Sequence, residues 1–179
     1  MELEDESKGK TVWRIHKFND PDGIVAKWSR RGVDVEDLKR MFMDRFIGEE
    51  EFEGNILLNE GINFIWTLIC GGSGTPFNNA NSYLGVGDGS AAEDASQTGL
   101  QGTNKLYKKV DSGYPQYGSD QKAVWRATFG GTEANFNWYE FTVANGSSDA
   151  AVNLNRKVTS KGTKASGSTW ILTLTLSLS

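Results

Sequence analysis

Residues 170–179 read WILTLTLSLS. Trp170, Leu172, Leu174, Leu176 and Leu178 fall on one side of an extended chain, and Ile171, Thr173, Thr175, Ser177 and Ser179 on the other. That is the period of a half-buried β-strand. Covering its four leucines contributes on the order of 6–12 kcal/mol gross, comparable to the net stability of a whole domain. Left open, such a strand is an edge that recruits other chains. It is therefore expected inside a sheet, with its even-numbered residues inward and its outer edge paired, in this chain or with another subunit.

The rest of the chain is read against that strand. TVWRIHKF (11–18) alternates and is expected as a strand, followed by a turn at NDPDG (19–23), where Pro presets φ and Gly permits positive φ. IVAKWS (24–29) reads as a short second strand. Over 34–46 the period changes: Val35, Leu38, Phe42 and Phe46 form a helical stripe, with Asp34 as its N-cap. EEEFE (49–53) reads as a solvated acidic run. Asn59 caps a second helix with Ile62, Ile65, Trp66 and Ile69 on one face, stopped by Gly71 and Gly72. Beyond Asn81 the segments SYLGVG, TNKLYKKV, KAVWRATF, NWYEFTVA and VNLNRKV read as strands joined by turns rich in Gly, Ser, Asn and Asp. The fold class is mainly β: a β-sandwich or jelly-roll-like domain with one or two short α-helices. Its division is an N-terminal arm, strand and helical insertion over 1–54, then the sandwich over 55–179.

Composition excludes several roles. Net charge is −4, so no basic face for nucleic acid is expected. The apolar run INFIWTLIC is too short to span a bilayer, and MELEDESKGK lacks the pattern of a signal peptide. A soluble protein made in a cytoplasm is expected, with no membrane partner. The single cysteine, Cys70, has no intramolecular partner and reads as a buried thiol.

No catalytic set emerges. The one histidine, His16, rules out His-based metal clusters and has no nucleophile motif beside it. GVGDGS (85–90) lacks the third glycine of a dinucleotide loop and the Gly-Lys-Ser/Thr end of a phosphate loop. Glu133 and Glu140 flank the aromatic stretch NFNWYEF and could be paired carboxylates, but nothing else supports hydrolysis. Trp138 and Tyr139 are candidates for a glycan-stacking platform, against a core role for the same rings. No enzyme activity, cofactor or metal is expected.

The ordered segments ILLNEGIN (56–63), NANSYLGVGDGSA (79–91), ASQTGLQGTNK (95–105), DSGYPQ (111–116), RATFG (126–130), EANFNWYEF (133–141), LNRKV (154–158) and GTKASGSTW (162–170) resemble a family of virion proteins of tailed bacteriophages. The helix, the VGDG strand end and the QTGL segment are also similar to the tail-collar fibre domain. The resemblance covers about residues 55–179, with a weaker match at RIHKF (14–18); the stretch near 33–47 stands outside it as an insertion. It implies a virion structural protein, most directly a capsid decoration (cement) protein, alternatively a tail collar or fibre component. Its expected partners are copies of itself, as a homo-oligomer and by analogy a trimer, and the major capsid protein or other virion proteins. Trp13, Leu38, Phe42 and Phe46 are the candidate subunit interface.

Overall fold

The computed structural model describes residues 9–178. It is mainly β, with two five-stranded antiparallel sheets and three short helices. The first sheet runs β2 (Phe46–Glu53), β1 (Gly9–Asn19), β10 (Ser168–Leu178), β7 (Lys122–Phe129), β6 (Gln116–Ser119). The second runs β3 (Ile56–Leu57), β9 (Asn155–Val158), β8 (Glu140–Ala144), β4 (Tyr83–Gly87), β5 (Lys105–Lys109). The helices are α1 (Ile24–Arg30), α2 (Val35–Met41) and α3 (Asn59–Ile69). No helix among the described residues is long and apolar enough to cross a membrane.

The C-terminal strand is central. β10 pairs with β1 from Ser168 to Leu178 and with β7 from Trp170 to Ser177. Both its edges are thus satisfied inside one chain, and no second subunit is needed to close them. Trp170, Leu172 and Leu174 point into the main core with Trp13, Ile15, Leu84, Trp125, Phe129, Trp138 and Phe141. The alternation relaxes toward the end, where Leu176 is half-buried and Leu178 exposed.

Ile171, on the opposite face of β10, is buried too. It joins Phe18, Val25, Val35 and Leu38 in a second core between the first sheet and the α1–α2 pair. This explains two departures from the sequence reading. IVAKWS is a helix, because Val25, Ala26 and Ser29 at i, i+1 and i+4 turn one face to that core. The buried Asp20 carboxylate holds its start, accepting the N–H groups of Val25 and Ala26. The following helix ends at Met41, earlier than its apolar stripe suggests, and Phe46 opens β2 instead. Asp34 does cap it, accepting the N–H of Glu36 at 2.8 Å.

The acidic run is strand, not solvated coil. β2 lies along β1, and a ladder of opposite charges crosses the pair, Lys10–Glu53, Arg14–Glu51 and Lys17–Glu50, with His16 opposite Glu49. Opposite charges across antiparallel strands support pairing where intrinsic strand propensity is poor.

Residues 9–54 therefore do not stand apart from the sandwich; the arm expected over 1–8 lies outside the described residues. β1 and β2 supply two of the five strands of one sheet, and Trp13, Ile15 and Phe18 are fully buried.

Candidate functional site

The segments singled out in the sequence converge on one buried ion pair. Glu140 and Arg156 have side-chain exposures of 0% and 0% and meet at 2.7 Å. Glu140 Oε2 accepts both Nε and Nη2 of Arg156 and the N–H of Gln101; its Oε1 accepts the N–H groups of Gly89 and Gly102. Arg156 Nη1 reaches the carbonyls of Ala91 and Ala92 and the Gln97 side chain. The VGDG, SQT, QGTN, NWYEF and NRKV segments are thereby tied to one point. The glycines have a steric reason: a Cβ at Gly87, Gly89 or Gly102 would sit 2.5–2.8 Å from Glu140 Oε1. Every lobe of the carboxylate is occupied from within, so Glu140 has no free face for an acid–base role.

The other candidate carboxylate is also committed. Glu133 bridges Arg30 at 2.7 Å and Lys108 at 2.5 Å and accepts the N–H of Gly130. Two internal groups were not legible as sites in the sequence. Arg126, 1% exposed on its side chain, fastens Asp111 at 3.0 Å and the carbonyls of Ser29 and Val33, locking α1 and the turn after it onto β7. Burial holds the Asp111 carboxyl above its ordinary range. Lys164 is buried and donates to the Gly130 carbonyl and Asn135; burial pulls its ammonium down to about 8. Each of these side chains points inward and connects loops.

The proposed interface residues lie elsewhere than expected. Trp13 is fully buried in the main core, stacked with Phe52 and tilted against Phe141. Leu38 is fully buried in the second core, and Phe42 and Phe46 are half-buried against it. The chain covers these side chains itself, Trp13 between the two sheets and Leu38, Phe42 and Phe46 between the helices and the first sheet. A glycan platform at Trp138 is likewise excluded: it is fully buried among Phe129, Phe141 and Trp170, and its Nε1 donates to the Ala134 carbonyl. Tyr139 is only half-buried but has lost its partner ring.

The open apolar surface is α3 and the groove beside it. The helix is moored by its first turn. Leu58, just before it, is buried and donates its N–H to the Leu154 carbonyl; Asn59, expected as the cap, instead begins the helix. Glu60 accepts the N–H of Asn153 at 2.8 Å, and burial raises its carboxyl above the usual range. Gly61 is the one buried residue of the helix and rides on the Leu154 backbone, where an added Cβ would come within 2.5 Å of the carbonyl oxygen. Beyond that turn the apolar face is bare. Trp66 is 59% exposed and Ile69 67% exposed, with Ile65 and Leu68 exposed beside them. Cys70, expected to be buried, ends this helix in the open. A groove of about 740 Å³ runs alongside, lined by Phe64, Leu68, Phe77, Trp125, Leu176 and Leu178 among others. Free monomers rarely leave such a surface contiguous and open.

A Gly61→Ala variant should lift α3 off the Leu154 backbone and cost about 1–3 kcal/mol, the range for forced overpacking. Urea unfolding followed by tryptophan fluorescence measures it. An unchanged midpoint would show that the first turn has room to spare.

Compared with known proteins, the chain matches no family model, no curated protein and no solved structure.

Proposed function

We propose that this protein is a structural subunit of a tailed-phage particle, a decoration protein of the capsid that acts as a homo-oligomer through α3 and its groove. The observation that carries the reading is the bare apolar face of α3, with Trp66 and Ile69 more than half exposed beside an apolar groove. Aromatic anchors of this kind dominate protein–protein binding energy, at 2 kcal/mol or more for the central ones. The carboxylates weighed for chemistry, Glu133 and Glu140, instead brace the sandwich internally, as do Arg126 and Lys164. The phage assignment itself comes from the ordered segments of the sequence. Their convergence on the Glu140–Arg156 pair supports reading them as one fold-defining set.

In this reading the contacts between copies are made by 61–72 and not by the N-terminal residues, which the fold uses for its own core. The test has two parts. Sedimentation of the purified protein should give an oligomer, a trimer by the cement-protein analogy, that Trp66→Asp with Ile69→Asp reduces to a folded monomer. Labelled protein in intact particles should then cover the head. Label confined to the tail would move the same assembly to the collar or fibre, and a monomeric wild type absent from particles would end the reading.

A further inference from the structure

We propose that His16, Glu36 and Glu49 form a binding site for a divalent transition-metal ion, with zinc the best fit. The three residues come from three elements: His16 from β1, Glu49 directly opposite it on β2, and Glu36 from the first turn of α2. One ligand atom from each lies within 4.8 Å of the other two. His16 Nε2 and Glu49 Oε2 are 3.3 Å apart. Tetrahedral zinc, with bonds of about 2.0–2.1 Å, sets its ligand atoms about 3.3 Å from one another. That edge of the tetrahedron is thus already built. Glu36 completes the third corner by a side-chain rotation that its exposed position leaves open. The three face a cleft of about 320 Å³ also lined by Arg14, Glu50 and Glu51, which has room for a water as fourth ligand.

The second observation is the histidine itself. His16 is 6% exposed, and its Nδ1 has no hydrogen-bond partner. Nε2 is the nitrogen turned toward the carboxylates, 3.3 Å from Glu49. A neutral ring has one bare nitrogen. With the proton on Nδ1, Nε2 offers its lone pair beside the Glu49 carboxylate, and a cation placed between them would be held by both. One imidazole with two carboxylates is a donor set that suits zinc.

Lys39 occupies part of this space, its Nζ 2.9 Å from Glu49 and 3.2 Å from Glu36. It neutralises the two glutamates and stands where a metal ion would. Its ammonium also lies 5.1 Å from the Phe46 ring centre, a position it can keep when a metal ion takes the carboxylates. Lysine and metal therefore compete for one site.

His16 is the only histidine, so one imidazole is seen in long-range 1H–15N spectra of the full chain. The background is Cys70→Ser, because the exposed thiol is a zinc ligand in its own right. Titration with Zn2+ alone should shift the imidazole nitrogens at one equivalent. Replacing Glu36 and Glu49, both exposed, with Gln should weaken that binding about tenfold or more. Lys39→Gln should tighten it. An imidazole signal unmoved at saturating zinc overturns the proposal, as does a shift of equal affinity in the double Gln variant. Binding no tighter in Lys39→Gln overturns it as well.

Discussion

Replacing Arg156 with Met should lower the melting temperature by about 6–20 °C. The estimate follows from removing one partner of a buried ion pair, at about 3–5 kcal/mol, and from about 2–4 °C per kcal/mol in a chain of this size. The physical reason is the charge left behind. Glu140 stays fully buried, keeps its three backbone N–H donors and loses its only side-chain counter-charge within the pair. A surface pair supplies the contrast. Arg14 and Glu51 approach to 2.5 Å, closer than Arg156 and Glu140, but their side chains are 60% and 47% exposed. Arg14→Met should cost only about 0–1 kcal/mol. Burial, not distance, separates the two cases. Arg156→Lys should fall between them, since lysine keeps the charge but cannot reproduce the fork that reaches Glu140, Ala91 and Gln97 together. Differential scanning calorimetry of the three variants checks the order. Equal losses from Arg14→Met and Arg156→Met would mean that the pair does not organise the loops around it.

Deleting residues 171–179 should leave no folded protein. The deletion removes Ile171, Leu172 and Leu174, all fully buried, and breaks the sheet between β1 and β7. Three such side chains contribute about 4.5–9 kcal/mol, against a net stability of about 5–15 kcal/mol. A shorter cut tests where the strand stops mattering. Ending the chain after Leu176 spares every core contact of β10 and should remain soluble. Removing residues 1–54 should fail as the long C-terminal cut does, because β1 carries Trp13, Ile15 and Phe18. Recovery of either long truncation as soluble protein with native-like circular dichroism would contradict the central placement of β10 and β1.

What could be read in advance follows the range of the forces involved. The alternation of β10, the Asp34 cap and the extent of α3 are set within a few residues, and the sequence carries them. IVAKWS is ambiguous because six residues with four apolar side chains suit either period. Its helix is chosen by Asp20 at one end and Ile171 across the sheet. The strand in EEEFE is set by cations on β1 more than thirty residues away in sequence. The same holds for the candidate sites. Trp13 and Leu38 read as interface because nothing local shows that the second sheet covers Trp13 and that α1 and the first sheet cover Leu38. Glu140 looked like one of many carboxylates until the glycines near 87, 89 and 102 were placed against it. The site at His16 needs a strand pair and a helix to meet, and a sequence with one histidine gives no spacing to notice. The apolar face of α3 is legible as a helical stripe, and only the fold shows that its own sandwich leaves Trp66 and Ile69 uncovered.

The pairing of β1 with β10 also fixes how the molecule responds to pulling. Gly9 lies opposite Leu178, so the two strands leave the sheet at the same corner. A force applied through these two points opens the ladder from that corner one hydrogen bond at a time, as a zip opens, and no two bonds share the load. Tethers at residues 9 and 178 would therefore peel β1 from β10 under a small load.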